Sequence, residues 1–94
     1  MTYSLEFLPV ALKEWKKCGD TIKQQFKKKL AERLKNPHVP SSKLSGEENL
    51  YKIKLRSSGY RLTYQVKDDE IVVVVISVGK RDKSNVYNKM KSRL

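Results

Sequence analysis

The sequence predicts an α+β domain: a small antiparallel β-sheet with an N-terminal αα-hairpin packed on one face and a short C-terminal helix. Three observations support this class. Residues 50–66 alternate apolar and polar side chains on either side of the turn-forming cluster Arg56-Ser57-Ser58-Gly59, the two-residue period of paired, half-buried strands. Leu12, Trp15 and Cys18, then Ile22, Phe26, Leu30 and Leu34, recur at helical spacing, as two amphipathic helices require. Residues 71–76 are aliphatic without interruption, which suits a central strand buried on both faces.

The hairpin is the most informative stretch. Tyr51, Ile53 and Leu55 alternate with Lys52, Lys54 and Arg56, and Tyr60, Leu62, Tyr64 and Val66 alternate with Arg61, Thr63 and Gln65. Gly59 can take the positive φ that a tight turn demands. With Leu55 opposite Tyr60, Lys54 falls across from Arg61 and Lys52 across from Thr63. The apolar set then faces a core, and Lys52, Lys54 and Arg61 share the other face. Like charges directly opposite weaken a sheet, and residues 49–67 contain no carboxylate to relieve them. A solvated sheet face often carries lysine merely to keep an edge soluble. Three converging cations favour an anion site, with a phosphodiester as its natural ligand.

Before the hairpin, Tyr3, Leu5 and Phe7 alternate with Thr2, Ser4 and Glu6, predicting a short first strand. Pro9 suits the first turn of a helix, Gly19 its C-cap, and Asp20 the N-cap of the second helix. Asn36-Pro37 ends that helix, and residues 37–49 read as a polar loop. Lys27-Lys28-Lys29 fan out over the solvent side of the second helix, a solubilising face that can add long-range attraction. His38 is the only histidine, and a single loop histidine is usually neither ligand nor catalyst. After the hairpin, residues 67–70 form an acidic turn and Ser77-Val78-Gly79 closes the aliphatic strand. Lys80-Arg81 follow where a rigid sheet can aim them. Asp82 or Ser84 caps a last helix bearing Val86, Met90 and Leu94. Tyr87 either packs beside that stripe or stands at the rim of the basic face.

Ninety-four residues make one domain, residues 1–94, with one modest core. The 21 Lys and Arg outnumber the 10 Asp and Glu, for a formal net charge of +11. Residues 1–50 carry 10 basic and 6 acidic side chains, residues 51–94 carry 11 and 4. That balance points to a polyanionic partner, nucleic acid above all, met by the second half. One cysteine excludes a disulfide framework and fits a reducing cytoplasm. No signal peptide or membrane span is visible, and the expected location is cytoplasmic.

The usual catalytic kits are missing from the sequence. One histidine, one cysteine and no acidic cluster outside turns and loops supply no metal site, and no cofactor motif is present. What remains is a non-catalytic binder or an RNA cleaver that needs neither metal nor histidine. RNA carries its own nucleophile, the 2′-OH. An enzyme must orient it, take its proton, stabilise the phosphorane and protonate the 5′-oxygen. Crowded cations lower a lysine pKa towards usefulness, arginine grips phosphate oxygens in a fork, and tyrosine can stack on a base. Lys52, Lys54, Arg61, Arg81 and Tyr87 could supply these parts. Lys43, Arg56 and Lys80 are further candidates for RNA contact.

Y-K-I-K-L-R-S-S-G-Y-R-L-T-Y-Q-V, then V-I-S-V-G-K-R and a tyrosine in the last helix, resembles the RelE family of bacterial type II toxin–antitoxin systems. The likeness extends to A-L-K-E-W-K-K in the first helix and to the lysine-rich second helix. It implies the RelE/ParE-like, microbial-RNase-like fold and a metal-independent, ribosome-dependent mRNA endonuclease without cofactor. By the resemblance, such a toxin cuts mRNA in the A site of the 70S ribosome, with 16S rRNA contacts, and stops translation. A RelB-like antitoxin masks it and joins it in repressing their operon, so operator DNA is met only through that complex. The resemblance makes Lys52 and Lys54 the acid–base pair, with Lys52 favoured as base and Lys54 as stabiliser or acid. It makes Arg61 the phosphate clamp, Arg81 the transition-state or leaving-group stabiliser, and Tyr87 the residue that orients or stacks the base. The segment Lys43-Leu44-Ser45-Gly46-Glu47-Glu48 is more acidic than the family pattern. The rival readings are a ParE-like gyrase-inhibiting toxin of the same fold, and a non-catalytic RNA- or ribosome-binding protein.

Overall fold

A computed structural model describes residues 2–44, 49–80 and 86–93, with the backbone alone for residues 86–89. The elements run β1 (Ser4–Phe7), α1 (Pro9–Lys16), α2 (Asp20–Lys35), a 3₁₀ turn (Pro40–Ser42), β2 (Leu50–Leu55), β3 (Tyr60–Lys67), β4 (Val72–Lys80) and α3 (Val86–Arg93). The expected α+β class is the one observed. The sheet order is β1-β4-β3-β2, so β4 and β3 are central. β2–β3 and β3–β4 are antiparallel. β1 runs parallel to β4, which makes the sheet mixed and not antiparallel throughout. The parallel pair arises because the αα-hairpin carries the chain away from β1, and β4 returns beside it in the same direction.

The hairpin register is the one its alternation predicts, with Lys52↔Thr63, Lys54↔Arg61 and Leu55↔Tyr60 paired. Gly59 holds φ +76° in the turn. Tyr51, Ile53, Leu55, Leu62, Tyr64 and Val66 are all buried in one core with Phe26, Leu30, Ala11 and Cys18 from the helices. That core lies between the αα-hairpin and one sheet face. A second, smaller core on the other face joins Leu50, Val74 and Ile76 to Met90 of α3. Met90 thus gives α3 an apolar anchor at the Leu50 end of the basic face, and no described helix packs on its Lys52–Lys54–Arg61 end.

Local expectations differ from the structure in four places. Leu12 is exposed, and α1 buries Ala11, because the inward stripe runs Leu8, Ala11, Trp15, Cys18 at three- and four-residue steps. Gly19 does not cap α1. The Cys18 N–H reaches the Trp15 carbonyl in a tightened last turn, and Gly19 is the extended N-cap of α2 at φ −68°, ψ 160°. Asp20 is then the first helical residue, where its carboxylate complements the helix dipole. Ile71 sits in the β3–β4 turn at φ +56°, and β4 starts at Val72. Ser77, Val78 and Gly79 extend β4 because Arg61 and Leu62 of β3 offer them partners, opposite Gly79 and Val78. The register shifts between Thr63 and Tyr64, leaving Ile76 as the extra residue of a bulge. Ile76 thereby packs towards α3 while Ser77 meets Thr63. The expected caps Asp82 and Ser84, and Leu94, lie outside the described residues, as does the Val86 side chain.

β1 ends opposite Val75, so the outer edge of β4 needs other partners from Ile76 onward. Arg93 of α3 donates to the Ile76 carbonyl at 2.8 Å and to Glu14 of α1 at 2.8 Å, while the Val78 N–H donates to Glu14 at 3.2 Å. This ion pair, with side chains only 18% and 17% exposed, ties α1, β4 and α3 together. Arg93→Ala or Glu14→Ala should each cost about 2–4 kcal/mol, since either strands a part-buried charge and backbone group. Urea midpoints of both single variants and the double should show the double losing clearly less than the sum. Additive losses, or losses under about 0.5 kcal/mol, would contradict this role.

Candidate active site

The site is built on β2 and β3. The Leu50 carbonyl accepts from the Leu44 N–H at 2.9 Å, and the Lys52 carbonyl from Arg33 at 3.4 Å. Both carbonyls therefore point away from β3, which makes residues 50, 52 and 54 members of non-hydrogen-bonded pairs. In such pairs the facing Cα atoms lie about 4.5 Å apart and side chains are closest. Lys54 and Arg61 are one of these pairs, so two cations are pressed together by the backbone itself. Lys52 lies two residues from Lys54, on the same face.

The electrostatic consequence falls on Lys54. The Lys52 ammonium first, then the Arg61 guanidinium, hold the Lys54 pKa below the ordinary lysine value, with Arg56 adding to them.

The remaining candidates divide. Arg56 is exposed at the turn, and with Lys54 and Arg61 it lines a cavity of about 400 Å³ floored by Gly59 and Tyr60. Gly79 stands opposite Arg61 on the other side of β3, leaving that flank without a side chain. Lys80 pairs with Tyr60 and places its ammonium 5.6 Å from the centre of that ring. Lys80 is therefore on the helix-side face, away from Lys52 and Lys54. Lys43 bridges to Tyr51. Cross-strand partners share a face, so Lys43 too points to the side of Tyr51 and not to the basic cluster. Arg81 lies outside the described residues, and so does the side chain of Tyr87.

Three features were missed in the sequence. Arg33 donates to the Tyr64 hydroxyl and to Ser42, both at 2.9 Å, pinning the 3₁₀ turn against α2 and β2. Its position one turn past Lys29, on the flank of the Phe26–Leu30 stripe, was the available signal. His38 is not idle: its ring bridges the Tyr51 hydroxyl at 2.8 Å and Asp68 at 2.7 Å. Tyr3 donates to the same Asp68 oxygen at 2.6 Å. Tyr3 first, then His38, hold the Asp68 carboxyl below its usual range. No local pattern marks contacts across 30 and 65 residues. Thr63, the cross-strand partner of Lys52, shares a buried hydroxyl–hydroxyl hydrogen bond of 2.6 Å with Ser77 opposite it on β4.

The family model described as the ParE toxin of the type II toxin–antitoxin system parDE matches residues 5–84. At full length the chain is 55% identical to the mRNA interferase toxin RelE of Escherichia coli strain K12, over 94 residues covering 100% of this chain and 99% of the relative. The chain belongs to the RelE family of type II toxins. Among solved structures, free E. coli RelE carrying a double arginine substitution superposes at a TM-score of 0.92. It is 54% identical and the match covers 100% and 99% of the two chains. The toxin of the intact E. coli RelBE toxin–antitoxin complex superposes at 0.83, with 57% identity over 86% of this chain and 99% of that one. Within the family, the ParE name attaches to the broad model and the RelE name to the full-length relatives.

The lysine pair of this toxin can be tested without substrate. Lys54 should titrate below the ordinary lysine value of about 10.4 when its Nζ or Cε resonance is followed by NMR. Lys52→Met should raise that midpoint more than Arg61→Met does, because Lys52 is the larger cause. A Lys54 midpoint unmoved by either change would remove the electrostatic basis of the site.

Proposed function

We propose that this chain is an mRNA interferase, the toxin of a type II toxin–antitoxin pair, which cuts mRNA in the ribosomal A site. The observation that carries the reading is the convergence of Lys52, Lys54 and Arg61 on one open face, with the Lys54 pKa lowered by the other two. Neutral Lys54 takes the 2′-OH proton, a role the family resemblance left between the two lysines with Lys52 favoured. The freed oxygen attacks phosphorus in line, and Arg61 neutralises the non-bridging oxygens as negative charge gathers on the phosphorane. The Lys52 ammonium gives a proton to the departing 5′-oxygen. The products are a 2′,3′-cyclic phosphate and a 5′-hydroxyl, with no net proton consumed. Arg81 and Tyr87 keep the leaving-group and base-stacking roles that the family pattern gives them.

Two details of the surroundings support this reading. Among the described residues, the face presents Lys52, Lys54 and Arg61 as point contacts for a phosphate and no feature that would force in-line geometry on a flexible strand. The ribosome supplies that geometry by holding the codon. A RelB-like antitoxin is the partner, a reading supported by the RelBE toxin–antitoxin complex of the E. coli relative, and by the family resemblance it masks this face and carries the pair to operator DNA. No helix of the described residues is long and apolar enough to cross a membrane, and the proposed site of action is the cytoplasm.

Programmed ribosomes should be cut in the A-site codon, while the same RNA free in solution stays intact at equal toxin concentration. Arg61→Ala should lower the single-turnover rate about 10²–10³-fold, with a much smaller change in ribosome affinity, which draws on many charges. Efficient cutting of free RNA, or equal losses of rate and affinity, would contradict the proposal. Gyrase inhibition without RNA cleavage would instead support the ParE-like rival.

A further inference from the structure

α2 and the edge strand β2 enclose a groove that the reaction above touches only at Lys54. Its larger part, about 600 Å³, is lined by Lys28, Lys29 and Glu32 of α2 and by Lys54, Arg56 and Ser57 across from them. A second part of about 360 Å³ continues past Lys29, Lys54 and Arg56 to Ser41, Ser42 and Arg33. Lys54 and Arg56 border both parts and also the cavity beside Arg61. The groove and the catalytic face are therefore one continuous basic surface, folded over the edge of β2.

Two properties set this groove apart from a solvated lysine face. Lys28, Lys29 and Arg56 form no ion pair among the described residues, although Glu32 stands four positions from Lys28, at helical pairing distance. Four cations facing one carboxylate leave a clear local excess of positive charge. The second property is the backbone. The outward edge of β2 is covered at Leu50 by Leu44 and at Lys52 by Arg33. The strand alternation turns the N–H of Lys54 outward as well, into the groove between those lysines. An N–H donor flanked by ammonium groups is a phosphate cradle.

We infer that this groove binds the phosphodiester backbone of RNA next to, and separately from, the phosphate being cleaved. Lys28 and Lys29 hold it from α2, and Arg56 with the Lys54 N–H holds it from β2. The inference rests on the proposed RNA-directed function. It divides the lysine triplet of α2, for Lys28 and Lys29 line the groove and Lys27 does not. The backbone so held is either mRNA flanking the codon or ribosomal RNA at the A site, which share this chemistry.

Equilibrium binding across salt tests it without any cleavage step, so it can fail while the proposed reaction stands, and the reverse. The probes are a single-stranded oligoribonucleotide and ribosomes carrying no mRNA. K28Q/K29Q, R56Q and a control, K27Q/K35Q, remove exposed charges, the control from the same helix outside the groove. K28Q/K29Q should weaken binding roughly tenfold at fixed salt. It should flatten the plot of log affinity against log salt by about 1.4, two phosphate contacts at about 0.7 each. R56Q should flatten it by about half as much, and the control by much less than K28Q/K29Q. Loss on the oligonucleotide alone assigns the groove to mRNA, and loss on empty ribosomes assigns it to ribosomal RNA. Equal effects of K28Q/K29Q and K27Q/K35Q on both probes would overturn the inference, leaving only diffuse attraction.

Discussion

The pairing of Lys54 with Arg61 across the β2–β3 hairpin is the contact to which the rest of the structure is fitted. Left alone it would push the strands apart. It persists because the opposite faces of the same residues' neighbours are buried: Tyr51, Ile53, Leu55, Leu62, Tyr64 and Val66 all pack under the αα-hairpin. A slip of one residue would send those side chains to water and the cations into the core. The apolar face therefore fixes the register, and the register fixes the distance between charges. Repulsion that cannot be relaxed by moving a strand is expressed instead as a lowered lysine pKa.

Other elements hold that hairpin in place. At one end Arg33 joins α2 to the Tyr64 hydroxyl, and Tyr64 in turn donates to the Pro37 carbonyl at 2.8 Å. Tyr51 stacks on Tyr64 with ring centres 5.5 Å apart and meets His38 on its other side. On the β4 side the bulge beside Thr63 and Tyr64 turns Ile76 towards Met90, with Ser77 facing Thr63. The Glu14–Arg93 pair satisfies the β4 backbone where β1 has stopped. The hydrogen bonds and the ion pair among these contacts lie at the margin of an apolar core, where an unsatisfied group would be costly.

How much of this could be read from the chain depended on the range of the interaction. The hairpin register was legible because a two-residue period over thirteen described strand and turn positions, from Leu50 to Leu62, admits one pairing around Gly59. The helices were legible for the same reason, although Leu12 and Ala11 exchange places because a stripe can drift by one residue within a short helix. The parallel placement of β1 was not legible, since Ser4–Phe7 has no local feature that chooses a partner. Lys43 and Lys80 were read as candidates for RNA contact from their charge, and charge carries no information about side. Their cross-strand partners, Tyr51 and Tyr60, decide that question and put both on the helix side. The bulge, the Asp68–His38 contact and the Glu14–Arg93 pair depend on chain segments that only folding brings together.

The central claim is that crowding makes Lys54 the proton acceptor. Single-turnover cleavage on programmed ribosomes from about pH 6 to 9, the window in which a tuned base is useful, tests it most directly. The sign follows from the lowered pKa: neutral lysine is the reactive form, so the rate should climb as pH rises. Lys54→Ala should flatten the climb. Lys52→Ala should slow the reaction and move the climb to higher pH, because the chief cause of the lowering is gone. Tyr87→Phe should keep the slope. A Lys54→Ala toxin that retains the full slope, with the slope lost in Tyr87→Phe, would contradict the account and make tyrosine the base.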